Sequence, residues 1–156
     1  MRKNNESDVR DARSGKSWLY SEVVKEHFFN PRNLMKPGEE KKFRASGEGI
    51  VGSQACGDEM KVWIKVKHGR IVECKWRTYG CASAIAATSM MSVMVTENGG
   101  MTIAKALKLT PKQIMDRLMG LPTRKIHCSV LGDQALKSAI ADFKLKAQNE
   151  KRKIKD

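Results

Sequence analysis

A chain of 156 residues with 40% apolar and 30% charged residues carries enough apolar mass for one hydrophobic core and reads as a single domain. No apolar run nears the roughly 18 residues a membrane span needs. The N-terminal MRKNNESDVRDARSGKS has neither a secretory apolar core nor a transit peptide's scarcity of acids, so a cytoplasmic protein is expected.

The net charge of +13 is dispersed, apart from the final KLKAQNEKRKIKD, and no nucleic-acid-binding motif accompanies it. No nucleic acid and no membrane is therefore expected as a partner, and an acidic protein fits the charge better.

Residues 1–18 read as a disordered basic and polar lead, 19–147 as the domain, and 148–156 as a basic tail. Leu19, Val23, Val24 and Phe28 recur at helical spacing, which predicts a helix over 19–29 that Asn30-Pro31 stops. KPGEEKK is a polar turn. Phe43 to Gly52 alternates weakly between glycines, as an edge strand would. Met60, Val62, Ile64 and Val66 then share one face, with Lys61 and Lys65 on the other, and Val72, Cys74 and Trp76 share a face in the next run. Two alternating runs around a short glycine loop predict a hairpin.

A three-residue loop, Lys67-His68-Gly69, brings the apolar faces together and pairs Val66 with Arg70. Ile64 then opposes Val72, Val62 opposes Cys74, and Met60 opposes Trp76. Carried outward, this register sets Cys56 level with Gly80, beside Cys81. From Cys81 the small-residue run ASAIAATSMMSVMVTENGG predicts a helix that Gly99-Gly100 ends. A short helix follows near Ile103–Leu107. Thr110-Pro111-Lys112-Gln113 is a capping-box start. The stripe Leu131, Ala135, Ala139, Ile140 and Phe143 marks a final helix with Cys128 at its start and a basic end expected to fray. The fold class is α+β: a small three-stranded antiparallel sheet packed against about five helices.

The four cysteines are Cys56, Cys74, Cys81 and Cys128, with no C-x-x-C pair among them. In a chain read as cytoplasmic they remain thiols. Cys74, in mid-strand on the apolar face, reads as packing. The other three stand at a strand entrance and two helix starts, and helix N-termini favour the thiolate, the form that binds metal or attacks sulfur. Asp58 accompanies Cys56 across Gly57, whose freedom permits the bend, and His127 precedes Cys128. Alone, Asp58 reads as a turn residue bonding its own backbone, and His127 as a helix-start residue bonding a carbonyl. A catalytic Cys–His dyad is disfavoured, because neighbouring side chains at a helix start diverge. Three sulfur donors with one oxygen and one nitrogen candidate suit zinc or an iron–sulfur cluster. Structural zinc fingers keep their ligands close in sequence. The wide spacing here suits a site that assembles and releases its contents.

The segments YSEVVKEHFFNPRNL, GIVGSQACGDEMKVWIKV, TYGCASAIAATS and KIHCSVLGDQALKSAIADFK, in this order from about Tyr20 to Lys146, resemble the iron–sulfur cluster scaffold family of the IscU type and the NifU N-terminal domain. His127 before Cys128 resembles the IscU/NifU branch more than the SufU branch. The resemblance implies cluster or metal ligands at Cys56, Cys81 and Cys128, with Asp58 and His127 as auxiliary ligands. It also implies that Cys128 accepts persulfide sulfur from a cysteine desulfurase.

Iron, sulfide and electrons from a donor such as ferredoxin would build a 2Fe–2S cluster, coupled on a dimer to 4Fe–4S, for transfer to apo iron–sulfur proteins. Zinc occupies the same site in such proteins. The family acts as scaffold and carrier rather than as an enzyme. Leu121, Pro122 and Lys125 match its Leu-Pro-Pro-Val-Lys segment for a DnaK-type chaperone with a J-domain partner, whereas Thr123 and Arg124 depart from it. The competing reading is a zinc-bound sulfur relay that only passes persulfide.

Overall fold

The computed structural model describes residues 9–10, 17–18, 20–53, 57–121 and 126–155. β1 (Val9–Arg10) and β2 (Ser17–Trp18) pair antiparallel within the segment read as a disordered lead. There follow α1 (Glu22–Phe29), α2 (Glu40–Phe43), β3 (Gly47–Ser53), β4 (Asp58–Lys67), β5 (Arg70–Tyr79), α3 (Ala82–Thr96), α4 (Ile103–Leu107), α5 (Pro111–Arg117) and α6 (Ile126–Lys155). β3, β4 and β5 form one antiparallel sheet in that spatial order, so β3 is an edge strand as expected. Six helices are described rather than about five, and the additional one is α2, in the stretch taken for a polar turn. None of the described helices is long and apolar enough to cross a membrane.

The central hairpin departs from its expected register. His68 and Gly69 both have positive φ, 52° and 72°, and Lys67 pairs with Arg70. This is a two-residue turn of the primed type, whose twist matches that of the flanking strands. An irregularity between Lys65 and Val66 then restores the alternation. Ile64 therefore opposes Cys74, Val62 opposes Trp76 and Met60 opposes Thr78, two residues from the expected pairing. The apolar faces still coincide, because a shift of two residues keeps every side chain on its face. Ile71 rather than Val72 is fully buried beside the bulge.

Met60, Val62 and Ile64 of β4 and Cys74 and Trp76 of β5 meet the helices in one core. α3 is buried nearly all round, so its sequence shows no polar face. Its small residues let α1 and the sheet close in from two sides. α1 starts at Glu22, three residues later than the helix expected over 19–29, because the Ser21 hydroxyl caps it by accepting from Val24 N–H at 3.1 Å. α5 has both hydrogen bonds of the capping box read from Thr110 and Gln113. On the opposite face of the sheet, α2 lays Phe43 with Met35 over Trp63.

α6 crosses β3 and β4 and runs through the basic segment as helix to Lys155, where fraying was expected. It lies so close to β3 that a Cβ on Gly49 would stand 2.4 Å from Ala139 N and 2.5 Å from Ala135 O. Gly47 and Gly49, two of the glycines that make β3 look interrupted, are thus the track on which the helix rests. Glu48 N–H donates to the Asp142 carboxylate at 2.9 Å. Lys146, followed by that amide, holds the Asp142 carboxyl below its usual range.

His27 joins α1 to α3 through its Nδ1, 2.7 Å from Ser89 Oγ in a buried contact. Burial lowers its pKa, the Arg32 and Arg117 charges add to the effect, and Glu26 opposes it. A histidine depressed in the folded state takes up its proton more readily when unfolded, so its contribution is complete above the unfolded value of about 6.5 and is lost as pH falls below it. Urea unfolding at pH 7.5 and 5.5 is therefore expected to show lower stability at the acid pH, with the difference reduced in His27→Gln. An equal pH dependence in the two proteins would contradict this.

Candidate metal centre

Asp58 opens β4 and pairs across β3 with Ser53. The residue before it, Gly57, has φ of 83°, the bend expected of that glycine. On its other side the hairpin register, carried one pair beyond Glu59–Tyr79, sets Asp58 level with Gly80. The side chain agrees: a Cβ on Gly80 would stand 3.1 Å from Asp58 Oδ1. The expectation that Cys56 lies level with Gly80 is thus corrected. The position belongs to Asp58, and the primed turn with its bulge is the cause. Asp58 is half-buried, and its carboxylate comes to the strand end from which Cys81 begins α3.

Cys81 is the N-cap residue of α3, with extended backbone (φ −77°, ψ 172°), and its carbonyl accepts from Ile85 N–H at 3.1 Å. Its half-buried side chain stands at the N-terminus of a 15-residue helix. The first turn beyond it is Ala82, Ser83 and Ala84, and Ser83 Oγ donates to Tyr20 Oη at 3.1 Å.

His127 and Cys128 are the second and third residues of α6. Their side chains lie outside the described residues, as does Cys56 altogether. Asp58 and Cys81 are therefore the predicted ligands whose surroundings the structure gives, and both are at one end of the hairpin. Leu121 is half-buried against the core, while Pro122 and Lys125 lie outside the described residues.

Gly80 was used in the sequence only to mark register, yet the absence of its side chain leaves the space beside the Asp58 carboxylate. The glycine before Cys81 in TYGC was the available signal.

Cys74 is set apart from this end. It lies in the middle of β5, 2% exposed, and burial pushes its thiol up to about 12. At neutral pH it is a small apolar side chain, neither nucleophile nor ready ligand. Cys74→Ser is expected to lower stability by about 1–2 kcal/mol, the cost of a buried hydroxyl without a built partner. Iron–sulfur reconstitution of the folded variant is expected to match wild type, and its loss would move Cys74 into the site.

A family model described as the NifU-like N terminal domain matches residues 19–150. The iron-sulfur cluster assembly scaffold protein IscU 1 of Archaeoglobus fulgidus is 46% identical over 125 residues, covering 80% of this chain and 76% of the relative. The iron-sulfur cluster assembly enzyme IscU of Drosophila melanogaster is 45% identical over 133 residues, covering 85% and 82%. Among solved structures, a nitrogen-fixing NifU-like protein (N-terminal) from Brucella abortus superposes with a TM-score of 0.58 over 81% of this chain and 94% of that one, at 17% identity, a likeness of fold alone. With the family match spanning nearly the whole described domain, the chain belongs to the NifU-like N-terminal domain family, of the IscU type.

Proposed function

We propose that this protein is a scaffold on which an iron–sulfur cluster is built and from which it is passed to apo-proteins. The observation that carries the reading is identity of about 45% across more than four-fifths of the chain to a protein named for iron–sulfur cluster assembly. The placement of Asp58 beside the start of α3 supports it.

The chain's own residues have separable tasks in this reading. Cys128 takes sulfur from a cysteine desulfurase. Its thiolate attacks the outer sulfur of the donor persulfide, the donor's S–S bond breaks, and the donor cysteine leaves as thiolate. No net oxidation accompanies this exchange. Reducing that sulfur to sulfide takes two electrons, supplied by a donor such as ferredoxin. Cys56, Cys81 and Cys128 hold the 2Fe–2S cargo as thiolates, and Asp58 and His127 supply exchangeable oxygen and nitrogen contacts. Two such clusters joining on a dimer, with two electrons from the same donor, would make 4Fe–4S.

The protein does not catalyse turnover of a small substrate. It carries a cluster and lets it go in the cytoplasm, and zinc fills the same thiolates when iron is absent. Leu121, Pro122 and Lys125 would be recognised by a DnaK-type chaperone and its J-domain partner.

Anaerobic incubation with a cysteine desulfurase, ferrous iron, cysteine and a reductant tests the reading. The expected result is visible iron–sulfur absorption with equal iron and sulfide content, transferable to an apo-ferredoxin. Persulfide on Cys128 with no such absorption under any condition would replace the scaffold with a zinc-bound sulfur relay.

A further inference from the structure

The glycines of β3 are of two kinds. Gly47 and Gly49 make room for α6, whereas Gly52 makes room for the neighbouring strand. Gly52 has φ of 81°, and a Cβ there would stand 2.2 Å from Asp58 O, 3.1 Å from Asp58 C and 3.4 Å from Glu59 Cα. The shortest of these distances is to a backbone atom, which no rotamer change can move aside. A glycine inside a strand commonly marks such a close approach of two backbones. In the register Gly52 pairs with Glu59, and Ser53, the last residue of β3, pairs with Asp58.

Asp58 meets a second glycine on its other side, where a Cβ on Gly80 would stand 3.1 Å from its Oδ1. One glycine therefore borders its main-chain carbonyl from β3, and another borders its carboxylate just beyond β5. The next residue is pinned as well, because Thr78 Oγ1 of β5 donates to Glu59 O at 2.9 Å. The start of β4 is thus fitted between its two neighbouring strands. A methyl on Gly52 would push the Asp58 peptide away from β3, against the Thr78 hydrogen bond. The carboxylate, carried by the same residue, would move with it.

We propose that Gly52 is a positioning residue for Asp58: the space of its missing side chain admits the Asp58 carbonyl and so sets where the carboxylate stands beside Gly80. The consequence for cluster release rests on the scaffold reading, whereas the placement itself does not.

The test uses the full-length protein and compares Gly52→Ala with Gly38→Ala. Gly38 also has φ of 81°, but a Cβ there would meet nothing within 4 Å, so the backbone cost is matched and the contact is not. In the metal-free protein the backbone resonances of Asp58, Gly80 and Cys81 are expected to move in Gly52→Ala and to stay in place in Gly38→Ala. With the cluster assembled, Gly52→Ala should lengthen its lifetime under a chelator by about fivefold, short of the effect of losing the carboxylate altogether. A merely structural disturbance would shorten the lifetime instead. In an Asp58→Ala background Gly52→Ala should add nothing, because the group it acts through is gone. Should Gly52→Ala not fold, Gly52→Asn brings the same Cβ at a smaller backbone cost, since asparagine visits positive φ more readily.

Unmoved resonances, a lifetime that is unchanged or shorter, or a lengthening that persists in the Asp58→Ala background would overturn the proposal. A wild-type protein that assembles no cluster would sink the scaffold reading instead, and the resonances would then decide the placement by themselves.

Discussion

Asp58→Ala is expected to lengthen the life of the assembled cluster by roughly tenfold, within the range seen when a supporting group of a metal site is altered. The direction follows from donor chemistry. Thiolates are soft ligands matched to iron and sulfide, whereas a carboxylate oxygen is hard and exchanges more readily for an incoming thiolate. In the scaffold reading Asp58 makes that contact, from the start of β4 beside the unfilled space of Gly80. Decay of visible absorption under a chelator and transfer to an apo-ferredoxin measure it together. A lifetime equal to or shorter than wild type, or transfer at an equal or greater rate, would refute the assignment. Gly80→Ala supplies an internal check. The added Cβ at 3.1 Å obliges the carboxylate to give by a few tenths of an ångström, so the lifetime should change in the same direction by less.

Gly49→Ala should destabilise the fold by about 3 kcal/mol, at the upper end for overpacked interiors. Its Cβ would lie 2.4 Å from Ala139 N, 2.5 Å from Ala135 O and 2.8 Å from Ser138 Cβ. Two of these are backbone atoms, which no rotamer change can move aside. Relief would require lifting α6 from β3, against the Glu48–Asp142 hydrogen bond and the burial of Ala135 and Ala139. Because His127 and Cys128 are the second and third residues of α6, the same displacement would also shift these proposed ligands. Urea unfolding followed by circular dichroism reads the effect, and a midpoint equal to wild type would mean the helix does not rest on that glycine. The contrast with Gly132→Ala is instructive, since there the methyl is accommodated and a gain of up to about 1 kcal/mol is expected.

These glycines also mark what could be read in the sequence. Local chemistry was legible where it acts over a few residues: the stop of α1 at Asn30-Pro31, the Thr110–Gln113 capping box, and the helix opening at Cys81. The motifs around Asp58, Cys81 and Cys128 were legible because each is a short dense string. The hairpin's faces were legible too, because alternation survives a shift of two residues. Its register was not, since a two-residue primed turn with a bulge leaves the same alternation as a three-residue loop. That difference set Asp58, rather than Cys56, level with Gly80.

Two further features were hidden because their cause is distant in sequence. α2 looks polar, yet Phe43 is held down by Trp63 from β4. β3 looks broken, yet its Gly47 and Gly49 answer to Ala135, Ala139 and Phe143 of α6.

The sequence by itself determined the order of elements, the α+β class, and which residue types are offered as ligands, since these follow from periodicity, caps and side-chain chemistry. Only the tertiary structure decided which of them stand together. Register and close backbone approach are properties of two chain segments at once, and no single stretch of sequence contains both.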